Sequence, residues 1–299
     1  MSTAVALTHL CTRFGQDFSL GPLDLSVPRG AIYALIGPNG AGKSTTLNLL
    51  MGAKRPEEGT IELLGLPFPA QDALIKRRIG FVSPELDYSA WRTVGKALDF
   101  VRGFYPDWVQ SRTERLQMLL DIHRSQRIAQ LSFGQRTKLA LIMALSRDCE
   151  LLILDEPTIG LDPVSKRAIF VELLRFMEDD SRTILISSHQ LSDIERIADH
   201  VALLNHGTLL TASPIDQLLE RYRLVELATP DSQPLTVQGS TVLERHQGRE
   251  RMLIDLRVTT PQMLHEQGLE VISSTAMTLE ELFLTLIRTD DARRPWRPQ

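Results

Sequence analysis

Gly37-Pro38-Asn39-Gly40-Ala41-Gly42-Lys43-Ser44-Thr45 is the stretch on which the reading of this chain turns. It fits the phosphate-loop pattern G-x-x-x-x-G-K-[ST]. Its flanks fit as well. The apolar run Ala31 to Ile36 precedes it and reads as a short buried strand, and Thr45 to Met51, with Leu47, Leu49 and Leu50, reads as a helix. A strand, a glycine-rich turn and a helix N-terminus together make an anion site, because backbone N–H groups converge where the helix dipole favours negative charge. Glycines let the loop wrap phosphate oxygens without side chains in the way. In such a loop Lys43 reaches the β- and γ-phosphates and Ser44 holds Mg²⁺.

Working outward, apolar runs alternate with helical patterns to about residue 213, which predicts a layered α/β domain around a largely parallel sheet. The buried-strand candidates are 31–36, 79–82, 151–154, 183–187 and 201–204. Residues 94–145 carry little strand signal and read as a helical insert, with Leu116, Leu119 and Leu120 at helical spacing. Phe104-Tyr105-Pro106-Asp107-Trp108 interrupts it, and Pro106 and Asp107 are expected to start the next helix. A second unit begins near Pro214. Val225, Leu227, Leu235, Val237, Val242 and Leu243 read as short strands, and residues 245–249 as a hairpin tip before a strand over 252–256. Pro261 suits a first helical turn, and Thr278-Leu279-Glu280-Glu281 is a capping box opening an apolar helix to Ile287. The tail, 290–299, is rich in proline and charge and reads as frayed, with Trp296 incidental.

Composition narrows the classes. The 299 residues, 43% hydrophobic and 23% charged, are ordinary for a soluble globular protein. A net charge of −4 argues against a nucleic-acid partner. No apolar run approaches the roughly 18 residues of a membrane span. The N-terminus lacks the charged and apolar regions of a secretory leader, so a cytosolic chain is expected. The two cysteines, Cys11 and Cys149, read as free thiols in a reducing compartment.

A phosphate loop alone says "nucleotide"; three further stretches say more. Leu151 to Leu154 is a buried strand ending in Asp155-Glu156, and open α/β sheets bind ligands at such strand ends. Neighbouring strand residues face opposite ways, so Asp155 is placed for a Mg²⁺ shell and Glu156 for an attacking water. Two adjacent carboxylates repel unless a cation offsets them. His189 ends another strand, where it can meet a γ-phosphate. Leu131-Ser132-Phe133-Gly134-Gln135 precedes an apolar helix; Ser132 is its expected N-cap, and Gly134 is expected to leave amides open as a second anion site.

In this order the motifs resemble the nucleotide-binding subunit of ABC transporters, over about residues 5–213. The phosphate loop, LSFGQ, the LLILDEP strand, Gly160-Leu161-Asp162 and His189 are similar to that family's Walker A, signature, Walker B, D-loop and H-loop. The resemblance implies a P-loop NTPase (RecA-like) core with an antiparallel β edge. The helical insert takes in a subdomain over about 86–145, and the second unit reads as a small α+β appendage over 214–289. The resemblance further implies ATP and Mg²⁺ as ligands and a head-to-tail dimer. In that dimer Ser132, Phe133, Gly134 and Gln135 close over the partner's ATP, Phe14 stacks on adenine, and Lys43, Glu156 and His189 serve hydrolysis. Where the family places a glutamine after the 79–82 strand, this chain has Pro84, with Glu85 next; a carboxylate shifted by one residue and no replacement at all both remain open. The signature has Phe133 where glycine is commoner. Within the family, Tyr105-Pro106-Asp107-Trp108, the lack of a membrane span and the 278–281 stretch are most similar to single-cassette bacterial drug exporters. Those work at the inner face of the cell membrane with a separate permease, and Tyr88, Trp91 and Phe100 lie beside the loop that would meet it. The cassette is expected to pair with its own copy or with a sister chain. The competing reading is a soluble cassette acting on ribosomes or DNA.

Overall fold

The computed structural model describes residues 2–15, 18–229, 236–246 and 248–293. The chain opens with two long strands, β1 (Thr3–Phe14) and β2 (Phe18–Pro28), followed by β3 (Ile32–Ile36) and helix α1 (Lys43–Leu50). Then come β4 (Glu58–Leu63), β5 (Leu66–Phe68), α2 (Asp72–Arg77) and β6 (Ile79–Val82). The insert supplies α3 (Val94–Arg102), α4 (Gln110–Leu120) and α5 (Phe133–Leu145). The core resumes with β7 (Leu151–Asp155), α6 (Pro163–Phe176), β8 (Thr183–Ser188), α7 (Leu191–Ile194), β9 (His200–Asn205) and β10 (Thr208–Pro214).

The central sheet has the order β10-β9-β3-β8-β7-β6. Its β9, β3, β8, β7 and β6 run parallel. Every residue of β3, β7 and β8 is buried. That is why these strands read as unbroken apolar runs rather than as alternation. An antiparallel sheet, β2-β1-β4-β5, packs against this one, and a single core joins Leu7, Leu23 and Ile61 of the first to Leu35, Ile153 and Leu185 of the second. The mixed α/β architecture with a parallel sheet, an antiparallel edge and a helical insert is the one anticipated.

Within the insert, the break at 104–108 does not start a helix at Pro106 or Asp107. Helix α4 waits until Gln110, because Asp107 turns its carboxylate to the Asp148 N–H (3.2 Å) and the Val109 N–H donates to the Ser146 carbonyl (2.8 Å). Arg115 of α4 grips the buried Glu172 of α6 through two bonds of 2.5 and 2.6 Å, which fixes insert to core. Such a forked pair is strong and directional.

The chain divides into two compact units, Met1–Ala212 and Ser213–Gln299. The second holds α8 (Ile215–Arg221), β11 (Tyr222–Ala228), β12 (Ser240–His246), β13 (Arg249–Asp255), α9 (Pro261–Glu266), β14 (Val271–Thr275) and α10 (Leu279–Arg293). Its antiparallel sheet, β12-β13-β11-β14, covers a small core of Val225, Leu227, Met252, Ile254 and Leu264. Val237 joins that core from the loop before β12 and not from a strand, while Leu235 lies outside the described residues. The capping box forms: the Glu281 N–H donates to Thr278 Oγ1 (3.2 Å) and the Thr278 N–H to Glu281 Oε2 (2.9 Å). The helix it opens continues past Ile287 to Arg293, so residues 290–293 are helical rather than frayed; Trp296 is outside the described residues. Among the described residues no helix is long and apolar enough to cross a membrane.

Candidate functional site

The glycine turn lies between the end of β3 and the start of α1. Gly42 is the N-cap of α1 at φ 107°, and a Cβ there would sit 2.6 Å from Leu20. Only glycine can occupy that corner. The neighbouring Ala41 N–H is tied to the Pro38 carbonyl (3.2 Å), which closes the turn. Lys43 is 6% exposed. Its ammonium donates to the carbonyls of Gly37 (2.7 Å) and Pro38 (3.2 Å) and lies 3.6 Å from Glu156 Oε1. Burial pulls its pKa down, and the Glu156 and Asp155 carboxylates oppose that pull.

Asp155, 2% exposed, ends β7 beside this loop. The Ser44 hydroxyl donates to its Oδ1 at 3.1 Å, and the Ser187 hydroxyl donates to the same oxygen at 2.6 Å. Burial pushes the Asp155 carboxyl up from the usual carboxylate range, while the Ser187 and Ser44 bonds hold it back. A buried carboxylate and a serine hydroxyl, both hard oxygen donors, fit the chemistry of Mg²⁺. A divalent ion there would supply the positive charge that burial denies Asp155.

Glu156 leaves the strand at φ 48°, in the left-handed region that non-glycine residues seldom visit. This turn carries its side chain away from Asp155 to His189, whose Nδ1–H donates to Glu156 Oε2 at 2.8 Å. The backbone conformation is held from behind by the Glu156 N–H, which donates to Ser187 Oγ at 3.0 Å. A strained residue that is over-determined by its neighbours at a strand end is a mark of function. The sequence reading missed Ser187. Its only signal is register: Asp155 on β7 faces Ser187 on β8.

The remaining predicted residues fall in three places. Phe14 ends β1, 40% exposed, with the Lys54 ammonium 3.7 Å from its ring centre. The Lys54 ammonium also donates to the Arg13 carbonyl. Ser132 caps α5 in a full capping box with Gln135: the Gln135 N–H donates to Ser132 Oγ (3.2 Å) and the Ser132 N–H to Gln135 Oε1 (2.9 Å). Gly134, however, is not open. It is buried, and a Cβ on it would come within 2.5 Å of the Gly160 carbonyl. The expected row of free amides is also reduced, because the Ser132 and Gln135 N–H groups are taken up by the capping box. Asp162, next to that contact, caps α6 by accepting from the Ser165 N–H (2.8 Å) and hydroxyl (2.5 Å), which hold its carboxyl at about 2. Pro84 and Glu85 lie after β6, and with Tyr88, Phe133 and Arg136 they line a cavity of about 160 Å³. The Glu85 N–H donates to Ser83 Oγ (3.2 Å). Thus Lys43, Ser44, Asp155, Glu156 and His189 come together, and Phe133 of the signature shares one cavity with Pro84 and Glu85.

Comparison with known proteins gives a consistent picture. A family model described as ABC transporter matches residues 20–159. The Nod factor export ATP-binding protein I of Sinorhizobium fredii (strain NBRC 101917 / NGR234) is 32% identical over 303 residues, which cover 95% of this chain and 85% of that one. The bacitracin transport ATP-binding protein BcrA of Bacillus licheniformis is 31% identical over 307 residues, with 96% and 98% covered. Among solved structures, an ATP-binding subunit of an ABC transporter matches with a TM-score of 0.66 at 26% identity, covering 73% of this chain and 92% of its own. A dimeric ATP-binding cassette in a post-hydrolysis state with ADP and Pi matches in fold with a TM-score of 0.62 at 21% identity, with 71% and 98% covered.

Proposed function

The chain belongs to the ABC transporter family of ATP-binding subunits, and from that premise we propose that it hydrolyses ATP to power export through a separate membrane permease. The observation that carries this reading is the linked cluster Ser44–Asp155–Ser187 and Lys43–Glu156–His189 at the edge of the parallel sheet. Phosphoryl transfer asks little covalent chemistry of a protein and is catalysed by positioning and electrostatics. In this proposal the loop amides and Lys43 neutralise phosphate charge. Ser44 and Asp155 hold Mg²⁺, which would offset negative charge on the β- and γ-oxygens. Glu156 orients and accepts a proton from the attacking water. His189, with Nδ1 engaged by Glu156, keeps Nε2 for the γ-phosphate.

A second copy completes each site from its own Ser132 and Gly134. Three apolar side chains beside that surface support this: Phe133 is 48%, Ile159 36% and Val164 79% exposed. The aromatic ladder Trp91–Phe100–Phe104, with ring centres 5.0 Å apart at each step, supports contact between the insert and a permease. Working there, the chain would sit peripherally at the inner face of the membrane. We assign the cassette to residues 1–213 and an accessory role to 214–289.

The test is E156Q. It should leave ATP binding intact, cut phosphate release at least about a hundredfold and accumulate an ATP-bound dimer visible by light scattering. Turnover at the wild-type rate would remove Glu156 from the mechanism.

A further inference from the structure

Away from the nucleotide site, donor atoms converge on the antiparallel sheet. Strand β1 carries a bulge. Leu7 faces Leu25 and Leu10 faces Leu23, so three steps on β1 oppose two on β2. The same extra residue appears against β4, where Thr8 faces Thr60 and Cys11 faces Glu58. His9 absorbs it at φ 51°, with its backbone N–H donating to Asp24 Oδ1 at 2.8 Å. The bulge inverts the alternation of the strand. Val5 and Leu7 are buried, so an unbroken strand would carry His9 and Cys11 inward after them. Instead Leu10 and Thr12 are buried, His9 is exposed and Cys11 half-buried. Glu58, the register partner of Cys11, is exposed too. One donor atom from each of His9, Cys11 and Glu58 lies within 4.8 Å of the other two.

We propose that His9, Cys11 and Glu58 form a binding site for a borderline-soft divalent cation of the zinc class, clipping β1 to β4. One imidazole, one thiolate and one carboxylate are the donors zinc takes, and the thiolate disfavours Mg²⁺ and Ca²⁺. Tetrahedral zinc with bonds of about 2.0–2.3 Å needs donors about 3.3–3.8 Å apart, so side-chain shifts of about 1 Å close the site, with water as fourth ligand. No other hydrogen bond or ion pair engages these three side chains among the described residues, so nothing has to be broken first. This is also the one convergence of three such donors among the described residues. The proposal does not rest on the nucleotide reading.

The experiment uses the full chain, stripped with chelator and kept reduced. Co²⁺ is the optical probe, because a thiolate–cobalt charge-transfer band reports on a cysteine ligand alone and ignores any ion at Asp155. The wild type should show this band at one ion per chain, and C11S should lose it. By calorimetry, H9A and E58Q should each weaken Zn²⁺ at least about tenfold, since even outer-shell changes cost that much. C149S should leave both readouts unchanged: Cys149 is buried, its thiol is pushed up to about 11, and a protonated thiol is no ligand. A wild type without the band, a band surviving in C11S, Zn²⁺ affinity unaltered in H9A and E58Q, or one ion shared by two chains would each overturn the site.

Discussion

Ser187→Ala tests the site at a position no motif marks. The Ser187 hydroxyl is fully buried and makes two bonds, donating to Asp155 Oδ1 at 2.6 Å and accepting from the Glu156 N–H at 3.0 Å. Alanine removes both. A hydrogen bond to a charged group contributes about 1.5–3 kcal/mol, and the first bond favours the ionised form of Asp155. Its loss therefore raises the Asp155 pKa further. Burial already sets that pKa above the usual range, so the change adds to an existing displacement. The sign follows. At a given pH a larger share of Asp155 is protonated, and Mg²⁺ must displace that proton. The acid limb of the ATPase profile should move upward in pH, and half-saturating Mg²⁺ should rise as pH falls. Well above the limb the two proteins should converge in Mg²⁺ requirement. The freed Glu156 N–H adds a loss in folding stability of about 1–3 kcal/mol, visible in the urea midpoint. The assay is initial-rate phosphate release over a grid of Mg²⁺ and pH, with circular dichroism to establish the fold. A folded S187A whose acid limb and Mg²⁺ half-saturation match wild type would refute the argument.

Three further outcomes are expected. Phe14→Ala should weaken binding of a fluorescent ATP analogue about tenfold to a hundredfold, in line with about 1–3 kcal/mol per stacked base, while Phe14→Trp retains it; equal affinity in both variants would end the stacking role. Cys149 has its thiol pushed up to about 11 by burial. It binds its proton more tightly folded than unfolded, so folding stability should fall by about 3 kcal/mol as pH rises from near 9 to near 11, and C149S should flatten that slope in urea titrations. Gly134→Ala places a methyl group 2.5 Å from the Gly160 carbonyl, so backbone must give way; ATP binding by a single chain should survive, ATP-driven dimerisation measured by light scattering should drop, and unaltered dimerisation would show the contact to be dispensable.

What the sequence disclosed follows from where each signal is stored. The parallel strands were legible because β7 and β8 are buried on both faces and so are written as unbroken apolar runs. The long antiparallel strands were not picked out residue by residue, because the bulge at His9 puts the alternation of β1 out of phase halfway along. Pro106 and Asp107 look like a helix start, yet Asp107 spends its carboxylate on the distant Asp148 N–H. In the site, residues carried by contiguous motifs were legible: Lys43, Ser44, Asp155 and Glu156 are defined by their neighbours in the chain. Ser187 was not, since its role comes from the rung it shares with Asp155 across two strands. The covering of Gly134 by Gly160 was equally invisible, being a meeting of two backbones 26 residues apart in number.

That meeting has a mechanical consequence. With no side chain on either glycine, the head of α5 and the loop four residues beyond Glu156 abut main chain to main chain. If two copies pair as proposed, with LSFGQ over the neighbour's nucleotide, this abutment gives the signature and the Glu156 loop of one chain a shared mount, and turnover is expected to rise more steeply than in proportion to the ATP supplied.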